Sequence, residues 1–575
     1  MLDGVNLTYN GAMFVAPLTS IRRWCNPFSR QWPLWDPWRL GVMLVALVFA
    51  VPVLTVFSFI FYGDTQVMSH LVDTVLLNYI SNTVWLVLGV SYGTLSIGIV
   101  CAWLVSVCEF PGRRWFQWML LLPMAMPAYI IAYTYTGMLD FAGPLQTSLR
   151  EWFGWGYGDY WFPEIRSLWG AMSMLSLVLY PYVYLLARAA FMQQSGAALE
   201  ASRILGAGPW RSFFKVALPM ARPAIIAGLS LALMETLADY GTVQYFGVDT
   251  FTTGIFRTWY GLGDSVAAAQ LSAMLLVMVF ALVVIERYSR RRVRYHHHSL
   301  QRARQPRYQL TRRQAMLAVV ACLLPLLFGF LLPFVQLLVW AQETAAEMVD
   351  AAYLQLVFNS LLLASMAAVL ALLLALFMAY GQRLRPVLAV QFAVRVASMG
   401  YAIPGTVIAV GVMIPLALLD QSLDSWLRAN WGISSGLLFS GTVVALMFAY
   451  IVRFLAVSIG TVEAALTKIR PSMDDAARSL GYSPWQVLRN VHVPIMRASL
   501  LTAVLMVFVD VLKELPATLI LRPFDFNTLA VRAYELASDE RLADASTSAV
   551  AIVLAGIVPV LLLSRSISRS GKADE

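Results

Sequence analysis

The chain has 575 residues, 59% of them hydrophobic and only 13% charged, against about 25% charged in ordinary soluble domains. With a mean hydropathy of +0.69, this excludes a large soluble enzyme and points to an all-α polytopic membrane protein. The net charge of +9 does not mark a nucleic-acid partner, because the cations gather in short segments between apolar runs and so report topology instead.

Residues 1–20 read as a tail, and WCNPFSRQWPLWDPWR (24–39) suits a membrane interface, where amphipathic rings and cations settle. No removable signal peptide is expected, since the first apolar run is too long and begins too late. Twelve apolar stretches then follow, each long enough to cross a core of about 30 Å as a helix. They lie near 40–61, 84–107, 116–139, 167–187, 223–240 and 266–285, then near 315–340, 357–380, 391–416, 437–460, 497–515 and 547–563. The expected organisation is an interfacial segment (1–39), a first half (40–286, core about 78–286), an Arg-rich linker (287–313), a second half (314–564, core about 354–564) and a tail (565–575). With the N-terminus in the cytoplasm, most of the 41 Lys and Arg fall in inner loops, so the positive-inside rule puts both termini there. The basic linker also suits anionic membrane lipid. Cys25, Cys101, Cys108 and Cys322 form no CxxC, and His296–His298 lie among arginines without acidic or Cys neighbours. Neither a disulfide scaffold nor a stable metal site is expected.

Between the fourth and fifth stretches of each half stands a polar island. EASRILGAGPWRSFFKVALP (200–219) returns 275 residues later as DAARSLGYSPWQVLRNVHVP (475–494), repeating Ala201 as Ala476, Gly206 as Gly481, Pro209 as Pro484, Trp210 as Trp485 and Pro219 as Pro494. Upstream the offset is 277, pairing Asn82 with Asn359 and Pro127 with Pro404. Both copies face the same side, so the halves are parallel repeats. Each copy reads as two short helices about a turn, with Gly206 suited to a left-handed cap and Pro209 to a first helical turn. Leu205, Trp210, Phe213 and Phe214 give the pair an apolar side, which suits another protein's groove. A lipid-facing loop is the alternative, and recurrence at equivalent places favours docking.

In the fifth stretches, IIAGLSLALMETLADYG (225–241) and LLTAVLMVFVDVLKELPA (500–517), Glu235 pairs with Asp510 and Asp239 with Glu514. The i, i+4 spacing predicts two carboxylates on one helical face in each half. Intramembrane acids generally face a bundle interior or a water-filled path, so these four are candidates for a translocation path that favours a cation. Internal pairing is the alternative, and Lys513 offsets one charge. Carboxylate and phenolate oxygens suit hard trivalent iron, and Tyr240 and Tyr245 are near in sequence, but this alone does not separate iron from an organic cation. The chain has no GxxxxGK[ST] loop and no Ser-His-Asp or Cys-His arrangement, so it reads as non-catalytic and without a bound cofactor.

The repeated islands resemble the EAA loop of ABC importer permeases: Glu-Ala-Ala, three residues, Gly, nine residues, then an apolar residue, any residue and Leu-Pro. Glu200, Ala201, Gly206, Val216, Leu218 and Pro219 carry the first match; Asp475, Ala476, Ala477, Gly481, Val491, Val493 and Pro494 carry the second. Ser202, Asp475 and Val493 depart from the pattern. METLADYGTVQYFGVDTFTTGIFRTWYGLGD (234–264) and KELPATLILRPFDFNTLAVRAYELASDE (513–540) resemble segments of fused ferric-iron permeases. The resemblance implies a type I importer permease fold in a bacterial inner membrane. It implies coupling loops seated on a separate cytoplasmic ATPase dimer that binds ATP and Mg, and a periplasmic binding protein that delivers ferric iron. It also implies alternating access, with Asp249, Arg257, Asp525, Arg532 and Asp539 as candidate binding-protein contacts. The rival readings are an ABC permease for thiamine or another organic cation, a secondary transporter of the major-facilitator type, and a membrane enzyme.

Overall fold

The computed structural model describes residues 36–572 apart from 64, 157, 194–201, 203, 207 and 292–307. Among the described residues, eleven helices are long and apolar enough to cross a membrane, and a pair bent by 90° makes a twelfth candidate. The first half runs α1 (Pro37–Ser58), α2 (Gln66–Thr74), α3 (Leu76–Val107), α4 (Arg113–Met119), α5 (Ala128–Leu139), α6 (Pro144–Phe153), α7 (Leu168–Gln193), α8 (Leu218–Ala238), α9 (Gly241–Tyr245), α10 (Phe251–Phe256) and α11 (Ser265–Arg291). The second runs α12 (Arg312–Leu326), α13 (Leu332–Met348), α14 (Ala351–Leu384), α15 (Leu388–Ala397), α16 (Gly405–Trp431), α17 (Val443–Leu466), α18 (Pro471–Ser479), α19 (Val493–Leu512), α20 (Pro516–Leu521), α21 (Leu529–Ser538) and α22 (Leu542–Lys572).

Two expected straight spans are broken. The stretch 116–139 divides into α4 and α5, and 391–416 into α15 and α16, with Pro127 and Pro404 as extended residues that open the second piece. Proline supplies no N–H and pushes the preceding residue out of the helical region, so repeated prolines give repeated breaks. A milder form of the same constraint precedes Pro219, Pro333 and Pro494. There the helix widens into one π turn over Phe213–Ala217, Leu327–Leu331 and Leu488–His492, which relieves the clash of each proline ring with the turn before it.

The halves interlock. The triads α3/α7/α8 and α14/α17/α19 form the two matching cores, but each half lends its first and last spans to the other. Helix α1 lies along α15 and α16, while α12 and α13 pack on first-half helices that include α3, α4 and α5. The last spans follow suit, α11 against α16 and α22 against α5. At the start of α1, Trp38 stacks on Phe377 at 5.3 Å, and both oxygens of Asp36 accept from Arg385, at 2.9 and 3.1 Å. In the other direction the Tyr135 hydroxyl donates to the Phe328 carbonyl at 2.6 Å. A two-residue parallel pair, Cys108–Glu109 with Tyr308–Gln309, ties the end of the linker to the end of α3. Cys101, Cys108 and Cys322 are buried free thiols; Cys25 and His296–His298 lie outside the described residues.

Interlocking requires close backbone approach, which small residues permit between spans. A Cβ on Gly411 of α16 would stand 2.3 Å from the Pro52 carbonyl oxygen of α1. Gly411→Val should therefore overpack this contact at a cost of about 1–3 kcal/mol. The expected outcome is a lowered thermal midpoint for the purified protein.

Candidate functional site

Both repeated islands turn at their glycines as read. Gly206 and Gly481 take left-handed conformations, φ 76° and 84°, and each is followed by a short helix, Pro209–Ser212 or Pro484–Val487. In the second copy Ser483 Oγ accepts from the Gln486 N–H while Gln486 Oε1 accepts from the Ser483 N–H, a reciprocal cap. Side chains at equivalent positions point outward: Leu205 is 85% exposed and Trp210 74%, Leu480 78% and Trp485 60%. Phe214 joins them, but Phe213 does not. Expected on the docking side, Phe213 instead turns inward against Trp103, ring centroids 4.8 Å apart. Pro219, Pro484, Asp475, Ala476 and Pro494 are exposed and Leu218 is half-buried, while Glu200 and Ala201 lie outside the described residues.

The two loops are held by different chemistry. In the second half, Asp474 accepts from Arg383 Nε at 2.8 Å and pairs with His492 Nε2 at 2.6 Å. Arg383 also donates to the Leu466 and Ile469 carbonyls, and the Tyr380 hydroxyl donates to the Pro484 carbonyl. In the first half the counterparts of Tyr380 and His492 are Trp103 and Ala217, and an aromatic cluster of Trp103, Phe191 and Phe213 takes over. Ser202 departs from the alanine of the EAA pattern. Its Oγ lies 2.8 Å from Ser212 Oγ, and the second copy replaces this pair with the buried Ala477 and Val487.

Burial raises the Asp474 carboxyl, but the hydrogen bonds from Arg383 and His492 outweigh it and leave the group below its ordinary 3.8. A depressed folded value means this stabilisation is complete above the ordinary carboxylate range and is lost as pH falls through the folded value. Asp474→Asn should cost about 1.5–3 kcal/mol locally. Faster amide exchange is expected in 471–492, with no change in 204–217.

All four path candidates meet at one cavity of about 110 Å³ between the halves. Their arrangement differs from the expected helical face, because α8 ends at Ala238 and α19 at Leu512. Asp239 and Glu514 lie beyond those ends and cap the next helices. Asp239 accepts from the Thr242 and Val243 N–H groups at 3.1 and 3.2 Å and from Thr242 Oγ1 at 2.9 Å. Glu514 accepts from the Ala517 and Thr518 N–H groups, both at 3.1 Å, and from Thr518 Oγ1 at 2.8 Å. A short carboxylate side chain satisfies free N–H groups at a helix start, and here that role outweighed continuation of the helix. Glu235 and Asp510 remain on the helices one turn earlier. Lys513 Nζ lies 2.8 Å from Asp510 Oδ1.

Arg453, on α17, is the residue the sequence reading missed. Its Nη1 lies 3.3 Å from Glu514 Oε1 and its Nη2 4.0 Å from Glu235 Oε2, so it bridges the halves. A cation inside FAYIVRFLAV, an otherwise apolar span, was the available signal. Tyr240 lines the cavity, whereas Tyr245 lies beneath the Arg166 guanidinium, 5.4 Å from ring to cation. Among the described residues no three His, Cys, Asp or Glu side chains are grouped as metal ligands. At the end of the bundle away from the repeated loops, Asp249 and Arg257 form an ion pair at 2.5 Å; Asp525 and Asp539 are exposed, and Arg532 is half-buried.

Two repeated bundles, two matching loops that expose Leu and Trp, and a charged cavity between the halves define a transport permease. The chain belongs to the family of binding-protein-dependent transport system inner membrane components, which it matches over residues 95–295 and 371–571. It is a multi-pass membrane subunit and not itself an enzyme. It is 24% identical over 552 residues to the Fe(3+)-transport system permease protein FbpB 2 of Haemophilus influenzae, covering 93% of this chain and 99% of the relative. A probable ABC transporter permease protein of Sinorhizobium fredii, y4fN, is 23% identical over 85% of this chain and 87% of its own length. The molybdenum transport system permease protein ModB of Escherichia coli is 29% identical over 33% of this chain and 82% of its own length.

Proposed function

We propose that the chain is the permease of an ATP-driven importer that carries ferric iron inward by alternating access. The observation that carries the cargo reading is the cavity's charge: four carboxylates against two cations, Arg453 and Lys513. Such an excess favours a cation and opposes an anion. The full-length ferric-iron permease relative supports the same cargo. Aromatic rings at the cavity, including Tyr182 and Phe454, would suit an organic cation such as thiamine. Its volume of about 110 Å³ speaks against that, being smaller than the roughly 150 Å³ that takes one benzene.

The loop-bearing end faces the cytoplasm in this reading, with both termini, and the basic residues gathered there support that orientation. A separate ATPase dimer, with ATP and Mg, receives the loops through Leu205/Trp210 and Leu480/Trp485, and a periplasmic binding protein docks at the other end. Trp210–Ala238 and Pro484–Leu512 are each continuous helical rods. Movement at Trp210 is therefore carried along a single helix to Glu235, roughly 38 Å away at 1.5 Å per residue.

The test is ferric-iron uptake by cells that lack their own importer and express this permease with its ATPase and binding protein. Trp210→Ala with Trp485→Ala should reduce ATPase co-purification and uptake at least about tenfold, as hot-spot aromatics do, at unchanged membrane abundance. Wild-type cells that import labelled thiamine and no iron would overturn the cargo.

A further inference from the structure

The cavity's two walls are chemically unequal although the halves are repeats. On the second-half wall both acids are answered by cations of the same half, Asp510 by Lys513 at 2.8 Å and Glu514 by Arg453 at 3.3 Å. At an offset of 275 the counterparts of Lys513 and Arg453 are Ala238 and Val178, which line the cavity and carry no charge. Room for the guanidinium comes from Gly405, where a Cβ would stand 2.2 Å from Arg453 Nη1 and 2.6 Å from Glu514 Oε1. At the offset of 277 its counterpart is Ala128. Charge and volume therefore differ together at three positions.

The first-half acids are also unequal. Asp239 is committed to three donors, whereas Glu235 has a single 4.0 Å contact with Arg453 and keeps a quarter of its side chain exposed. Two further polar groups at the same cavity lack hydrogen-bond partners: Arg453 Nε and the Tyr129 hydroxyl. Both residues are more than nine-tenths buried, Tyr129 at 6% exposure and Arg453 at 7%.

We propose that the cargo cation binds on the first-half wall alone, with Glu235 as its anionic ligand. Arg453 is the built-in competitor that faces Glu235 when cargo is absent. This rests on reading the cavity as part of a cation path. It also assigns a selectivity. A hard multivalent ion displaces a guanidinium from a carboxylate by charge density, and a monovalent ion does not. The second-half acids then hold structure: Asp510 neutralises Lys513, and Glu514 caps α20.

The experiment compares single-wall variants in two assays, ferric-iron uptake with the ATPase and binding protein present, and Tb³⁺ luminescence of the purified permease. Glu235→Gln should lower uptake at least about tenfold further than Asp510→Asn combined with Lys513→Met, an excess worth about 1.4 kcal/mol. It should also abolish the tight Tb³⁺ component. Glu235→Asp should recover most of the uptake, which separates a lost ligand from a lost fold. Equal losses from the two walls, or Tb³⁺ binding indifferent to Glu235→Gln, would overturn the inference. Absence of iron uptake by the wild type would instead overturn the cargo reading on which it rests.

Discussion

A helix broken inside an apolar bundle frees backbone N–H groups that have no water to turn to, and the charged cavity follows from how this chain meets that demand. Asp239 and Glu514 satisfy the groups at the starts of α9 and α20. Acids used as caps bring charge into the bundle, and buried charge requires a partner. In the second half that partner is Arg453, which in turn requires a residue without a Cβ at position 405. The first half meets the same demand with Thr242, whose hydroxyl and N–H both reach Asp239, and leaves Glu235 with little to hold it.

The same divergence runs through the docking loops. Their exposed faces stay alike, while their buried sides do not: Trp103, Phe191 and Phe213 on one side, Tyr380, Arg383, Asp474 and His492 on the other. The shape presented outward is common to both copies, and two different interiors support it. Among the described residues, the polar interior is the one seen to depend on an ionised carboxylate, and so to respond to acid.

Much of this was legible in the residues. Gly206 and Gly481 announced left-handed turns, Pro127 and Pro404 stood where both halves break, and the four acids were visible as a repeated set. The helical-face reading failed because spacing alone cannot tell an acid on a helix from an acid that caps the next one. The Pro516 two residues after Glu514 was the missing cue, since proline suits a first helical turn. Arg453 escaped because the count of cations by loop assigned it to the inner loop after α17, although it falls within the span. The exchange of spans between halves has no signature in the repeat, which records what each half contains and not where its first helix lies.

That exchange decides what kind of motion is open to the molecule. With α1 pressed on α15 and α16, and α12–α13 on α3–α5, the halves cannot part like the covers of a book without stripping each of a wall. Opening at either end must come from rods that slide and tilt within a fixed outer hoop. The hoop belongs to both halves at once, so the two sides share one frame of reference, and a displacement on one is registered against a surface supplied by the other.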